Sequence, residues 1–149
     1  MKWFTEAEFQ RQFDLIDPEF LLKIDKLRGL SGFKMIVSPA SGAVGRNDLV
    51  SSWHNYRIHG RIYATDFYVS YKGKKLTKEQ VLEFKQLAIE VGLKGIGLYP
   101  YWTGRVGTGF HLDNRQTLTN KIGRSYDSWG RLVKKNDYVS FEEALKHIK

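Results

Sequence analysis

"RIYATDFYVSY", residues 61–71, is the stretch on which the fold turns. It is β-branched and aromatic along most of its length and stops at Lys72-Gly73, a turn dipeptide, so it predicts a strand. Asp66 sits in the middle of it among Tyr63, Ala64, Phe67 and Val69. A carboxylate there is partly buried and needs a partner to offset its desolvation, either a metal ion or a cation such as Arg61. The segment just upstream, "SSWHNYRIHG" (51–60), reads as a loop feeding that strand and holds two of the chain's four histidines, His54 and His59.

Composition bounds what this strand can belong to. A chain of 149 residues has the size of one domain and can bury a proper core. Its 42% hydrophobic and 14% aromatic content excludes a disordered chain and supplies bulky core side chains. With no cysteine there is no disulfide framework, and any metal must be held by imidazole and carboxylate. The opening "MKWFTEAEFQRQF" has acids at Glu6 and Glu8 and lacks the apolar core of a secretory signal, so a cytoplasmic chain as synthesised is expected, acting in the periplasm or cell wall only after release or lysis. No apolar run is long enough for a membrane span. The net charge of +8 favours an anionic partner, such as an acidic cell-wall polymer, a membrane surface or nucleic acid.

Working outward, Thr5 and Glu8 form a capping-box pattern ahead of a short helix with Phe9 and Phe13 on one face. Asp17-Pro18 starts a second helix, with Phe20, Leu21, Ile24 and Leu27 at helical spacing up to Gly29. "FKMIVSP" (33–39) predicts a strand, and the Gly-rich loop "ASGAVGRND" after it carries Arg46. Thr77 and Gln80 cap an amphipathic helix that ends near Gly92, and the strand "GIGLYP" follows at once. After the loop "YWTGRVGTG", the segment "FHLDNR" reads as a strand with His111 and Asp113 on one side. Ser140 and Glu143 cap a last helix bearing His147, which reads as exposed and uninvolved. The expected architecture is one α+β domain over residues 1–149, with a small antiparallel sheet and flanking helices. Residues 1–30 form a helical scaffold, 33–115 the core of the site, and 116–149 a tail and helix.

His54, His59, His111, Asp66 and Asp113 thus lie on strands or strand edges that a helix brings back together. A catalytic zinc ion takes three protein ligands and leaves one position open, and two imidazoles with one carboxylate meet that need. Left to the residues alone, the histidine pair also fits backbone-bonded loop histidines, and Arg46 fits a solvated loop residue.

Ser52-Trp53-His54, Gly60, Ala64-Thr65-Asp66 and, after "GIGLYP", His111-Leu112-Asp113 resemble the zinc D-Ala-D-Ala carboxypeptidase and endopeptidase family, the M15 peptidases of the Hedgehog/DD-peptidase fold, in their phage or prophage form. The resemblance covers about residues 33–115. It implies a zinc-dependent peptidase that hydrolyses peptidoglycan stem peptides with metal-activated water. His54, Asp66 and His111 would hold the metal, and Asp113 would stand near the water as catalytic carboxylate. Arg46, Ser52 and Tyr101 would contact substrate, Arg46 by the paired hydrogen bonds a guanidinium makes to a carboxylate.

Two departures keep alternatives open. The family's first histidine lies seven residues before its aspartate, the spacing of His59 to Asp66, whereas His54 lies twelve before it. His59 is therefore the alternative ligand, and Asp113 the alternative to His111. Where the family carries its upstream base, this chain has Thr108 and Gly109. The competing function is a non-catalytic basic module binding cell wall or nucleic acid, for which "SYDSWGRLVKK" (125–135) supplies clustered basic and aromatic residues. Nucleic acid is the less expected partner because that patch is short.

Overall fold

The strand read from residues 61–71 becomes β2 (Ala64–Tyr71), bonded along its two long edges to β1 (Lys34–Val37) and β5 (Thr108–Asp113). The computed structural model describes residues 1–102, 107–134 and 136–149. Parts of the "YWTGRVGTG" loop and the end of "SYDSWGRLVKK" lie outside the described residues. The remaining strands are β3 (Lys74–Lys75), β4 (Gly95–Tyr99), β6 (Asp127–Arg131) and β7 (Tyr138–Val139). The helices are α1 (Pro18–Ser31), α2 (Tyr56–His59), α3 (Lys78–Glu90) and α4 (Phe141–Leu145). The chain is a mixed α/β protein whose seven-stranded sheet runs β1-β2-β5-β4-β6-β7, with β3 pairing with β2 off that path.

Two expectations are corrected here. The sheet is not purely antiparallel, because β6 pairs with β4 in parallel, Gly97 opposite Trp129. That strand lies inside the segment read as a tail, where a polar "DSWGR" run hides it. The helix expected after Thr5 is instead two 3-10 turns, Glu6–Phe9 and Phe13–Leu15, because Gln10 and Arg11 between them take left-handed φ values of 55° and 61°. Asp17 does cap α1, accepting from the Phe20 amide with Pro18 in the first turn, and Thr77 and Gln80 close a capping box on α3.

Alternation along the strands sorts the side chains into two faces. Phe67 and Val69 of β2, Phe110 and Leu112 of β5, and Ile96 and Leu98 of β4 enter one buried cluster. Phe20, Ile24 and Leu27 of α1, Val81 and Phe84 of α3, and Phe141 of α4 join the same cluster. Full burial of large side chains such as Phe84 and Phe110 stabilises each by about 1.5–3 kcal/mol. The opposite face is uncovered at its centre and forms the floor of a cleft of about 1020 Å³ lined by Asp66, Tyr68, Tyr99, His111, Trp129 and Arg131. Two glycines of β4 hollow out this floor. A Cβ on Gly95 would collide with the Asp113 carboxylate, and one on Gly97 would come within 2.9 Å of the Trp129 indole. Among the described residues no helix is long and apolar enough to cross a membrane.

Candidate metal centre

The cleft floor brings together side chains from three separate stretches. Asp66 and His111 sit opposite each other in the β2–β5 register, so their side chains leave the sheet side by side. His54 reaches them from the loop that crosses the same face. That loop is pinned by backbone bonds between Arg46 and His54 and between Tyr56 and Arg46. Asn55 is fully buried: its amide donates to the Asp48 and Val50 carbonyls while its oxygen accepts from the Arg57 and Ile58 amides at the start of α2. Ser52 Oγ accepts from the His54 amide at 3.3 Å, so Ser52 positions the histidine.

The facing atoms form a nearly equilateral triangle. His54 Nε2 is 3.2 Å from His111 Nδ1 and 3.3 Å from Asp66 Oδ1, and His111 Nδ1 is 3.1 Å from Asp66 Oδ1. Each ring is held by its outer nitrogen. His54 Nδ1 lies 3.0 Å from the Val44 carbonyl and His111 Nε2 lies 2.7 Å from Asp113 Oδ2. Both of those oxygens can only accept, so each outer nitrogen donates, and in neutral imidazoles both inner nitrogens present lone pairs. Three acceptors then converge on one point, an arrangement that needs a positive charge, which either a proton on His111 or a metal ion could supply. Four donors bound to zinc at about 2.0–2.1 Å lie about 3.3–3.4 Å apart at tetrahedral angles, close to the edges observed. The donor set fits zinc, and the outer partners are the kind that orient imidazole ligands.

Electrostatics agree with that need. Burial works to raise the Asp66 carboxyl, but the adjoining His54 and His111 outweigh it and hold the group well below the usual carboxylate range. Burial works against an imidazolium at His111, yet Asp113 and Asp66 outweigh it and lift the group to about 9. Without metal, a proton at His111 therefore serves as the central cation. Tyr99, one wall of the site, is pushed above its ordinary value by burial and by the charge of Asp66, and stays a neutral phenol.

Of the other residues singled out in the sequence, His59 is not among the converging side chains. It ends α2 and stacks on Trp53, with ring centroids 4.1 Å apart and planes 14° apart. Asp113 does not face the centre. It is fully buried, and its oxygens accept from His111 and, through a forked contact, from Arg115 at 2.6 and 2.9 Å. The structure thus groups His54, Asp66 and His111 and leaves Asp113 behind the His111 ring, outside that group. Arg46 lines the cleft but pairs with Asp48 at 3.3 Å. Tyr101 does not line the cleft; its hydroxyl meets His147 Nδ1 at 2.7 Å, so His147 is engaged as well. Thr108 is turned to the buried side, where its hydroxyl accepts from the Leu76 amide.

The residues around the site that the sequence reading did not place there are Arg115 and members of the 116–149 segment. Trp129 packs 5.2 Å from the His111 ring, Arg115 lies over Trp129 at 4.6 Å, and Asp127 accepts from Arg115, Thr119 and Asn120. Alternation in "DSWGR" places Asp127, Trp129 and Arg131 on one face, a signal too short to stand out. Comparison with family models, curated proteins and solved structures finds no match.

Proposed function

We propose that this chain is a zinc-dependent peptidase acting on peptidoglycan stem peptides, built on a Hedgehog/DD-peptidase type of fold. The observation that carries the reading is the triangle of His54 Nε2, Asp66 Oδ1 and His111 Nδ1, all within 4.8 Å of one another at the bottom of an open cleft. Bound there, zinc supplies the Lewis acidity that polarises a scissile carbonyl and brings the pKa of water to about 7. The chain's own residues hold and orient. Val44 and Asp113 fix the two imidazoles, Arg115 keeps Asp113 ionised and in place, and the Tyr99 and Trp129 rings flank His111. Excess positive charge would favour contact with an anionic wall.

One observation favours a second reading, a non-catalytic binding module on the same scaffold. Among the described residues lining the cleft, the carboxylates are Asp66, a member of the triangle, and Asp127, occupied by Thr119, Asn120 and Arg115. No lining carboxylate outside the triangle is free to take a proton from water. Metal analysis of purified protein by inductively coupled plasma mass spectrometry, paired with digestion of muropeptides, separates the readings. About one zinc per chain, lost in His54→Ala, Asp66→Ala and His111→Ala but kept in His59→Ala, together with cleavage, is the result expected. Zinc without cleavage leaves the binding module, and a chain that takes up no zinc ends the peptidase reading.

A further inference from the structure

The cleft holds a cation that none of the contacts above uses. Arg131, the last residue of β6, places its guanidinium carbon 4.6 Å over the Tyr99 ring and 5.5 Å over the Trp102 ring. These rings pack edge to face, with centroids 4.6 Å apart, so they form one aromatic wall. Arg131 is half-buried. Among the described residues no carboxylate lies within 4.0 Å of it and no side-chain hydrogen bond engages it. Three other arginines among the described residues line the cleft, and they differ. Arg124 is exposed and lies over Tyr126 rather than on the Tyr99 wall. Arg46 is paired with Asp48, and Arg115 is locked between Asp113 and Asp127.

Stacking fixes the plane of a guanidinium and leaves its N–H edge free, and a partly desolvated guanidinium without an anion is a costly arrangement. Its planar fork matches a carboxylate through two parallel charge-assisted hydrogen bonds. Its location says what it would serve. Tyr99 lies under Arg131, and its ring centroid is 6.5 Å from that of His111, so the same aromatic ring neighbours both the guanidinium and the candidate metal centre. Arg131 and the triangle line the same cleft, so a peptide lying across it with its carbonyl at His54, Asp66 and His111 would have this wall beside it to receive a carboxylate.

We propose that Arg131, clamped on Tyr99 and Trp102, is a carboxylate subsite that selects peptides bearing an acidic group next to the bond presented to the metal centre. This assignment rests on the peptide-substrate reading and sharpens it. Arg131, rather than Arg46, becomes the residue that recognises the anion.

Isothermal titration of the full chain, with and without zinc, tests it using three probes: N-acetyl-D-alanyl-D-alanine, its C-terminal amide, and N-acetyl-D-alanyl-D-glutamate amide. The first carries a terminal carboxylate, the second none, and the third only a side-chain carboxylate. At least one acid should bind about 10-fold tighter than the neutral amide, since hydrogen bonds to charged groups contribute on the order of one decade each. Which acid wins identifies the source of the carboxylate. Arg131→Gln should reduce the acid to the level of the amide, Arg46→Gln should keep the preference, and Arg131→Lys, which retains charge without the fork, should keep part of it. Equal or absent binding of acids and amide, or a preference that survives Arg131→Gln or disappears in Arg46→Gln, overturns the proposal. Should Arg131→Gln unfold, Arg131→Lys decides: full retention of the preference counts against the subsite. Muropeptide cleavage is scored separately. No cleavage with an Arg131-dependent preference ends the peptidase reading and keeps the subsite; cleavage with no acid preference does the reverse.

Discussion

Asp113 has no exposed surface, and its oxygens face His111 Nε2 on one side and the Arg115 guanidinium on the other. Burial alone would push this carboxyl up, but His111 and Arg115 outweigh it and keep it ionised. It is thus a fixed negative charge behind an imidazole, which orients the ring and makes Nδ1 a better donor to a metal. Replacing it by Asn keeps the volume and removes the charge. Asp113→Asn should weaken zinc binding by about 10–100-fold, read by competition against a chromophoric chelator, although the side chain touches no metal. Equal affinities in the two proteins would show that His111 needs no such support. A second buried carboxylate acts on stability instead. Asp25 of α1 accepts from the Lys2, Trp3 and Phe4 amides at 2.8 Å each, tying the N-terminal segment to the helix. Burial opposes its charge, but those three donors and the N-terminal ammonium prevail and hold its pKa below the ordinary value. A depressed folded pKa contributes stability above the unfolded value of about 3.9, and that stability is lost as pH falls through the folded value. Asp25→Asn should therefore cost about 1–3 kcal/mol at pH 7 in urea melts, and the gap to the parent should shrink below about pH 4.

At the scale of elements, β4 shows how a strand can be shaped by what it lacks. Its glycines face the cleft, and the space above them is filled by Asp113 and Trp129. Gly95→Ala introduces a methyl where the Asp113 carboxylate lies, so it should destabilise the fold by about 1–3 kcal/mol and weaken zinc uptake at the same time. A thermal melt and a zinc titration on the same preparation check both. A variant that lowers the melting temperature with zinc affinity unchanged would mean that Asp113 relocates without disturbing His111. The same strand marks the limit of what the sequence revealed. "GIGLYP" is legible as a strand from its apolar residues and its place after a capped helix, and β2 from its aromatic and β-branched run. The antiparallel neighbours Asp66 and His111 follow once both strands are recognised, because alternation alone puts each acid or histidine on a face. β6 was not legible. "DSWGR" is polar, carries a glycine and pairs in parallel with a strand about thirty residues earlier, so neither local propensity nor spacing identifies it. For the same reason Trp129 and Arg131 read only as part of a basic, aromatic patch and not as cleft residues, and Asp113 reads as facing the centre. That it turns to Arg115 is settled by a side chain two residues on, in a corner the pattern does not describe. His59 had the better spacing to Asp66, but α2 carries it away, because Asn55 caps that turn and Trp53 stacks on the ring.

The whole molecule divides its labour between the two faces of one sheet. Helices α1, α3 and α4 cover one face with a continuous apolar cluster, and the other face carries three inward-facing acceptors with little but a proton to reconcile them. If the chain binds zinc as proposed, binding and folding are coupled by mass action, since only the folded chain assembles His54, Asp66 and His111 from segments far apart in sequence. Free zinc at 100 times its dissociation constant should add about 2.7 kcal/mol to the folded state. For a domain of this length that corresponds to a rise in melting temperature of roughly 5–10 °C. The rise should be absent in His111→Ala. It should persist in Phe84→Ala, which opens a cavity on the helical face and costs about 3–5 kcal/mol without touching the cleft. Scanning calorimetry of the three proteins with and without zinc measures all of these shifts. The coupling also sets a direction with pH, because zinc must displace the proton that His111 retains up to about 9. The zinc-dependent rise should thus grow as pH increases from 6 to 8 at fixed total zinc. A rise of the same size in His111→Ala would place the ion elsewhere on the molecule, and one that diminishes with pH would mean that no proton leaves when the ion binds.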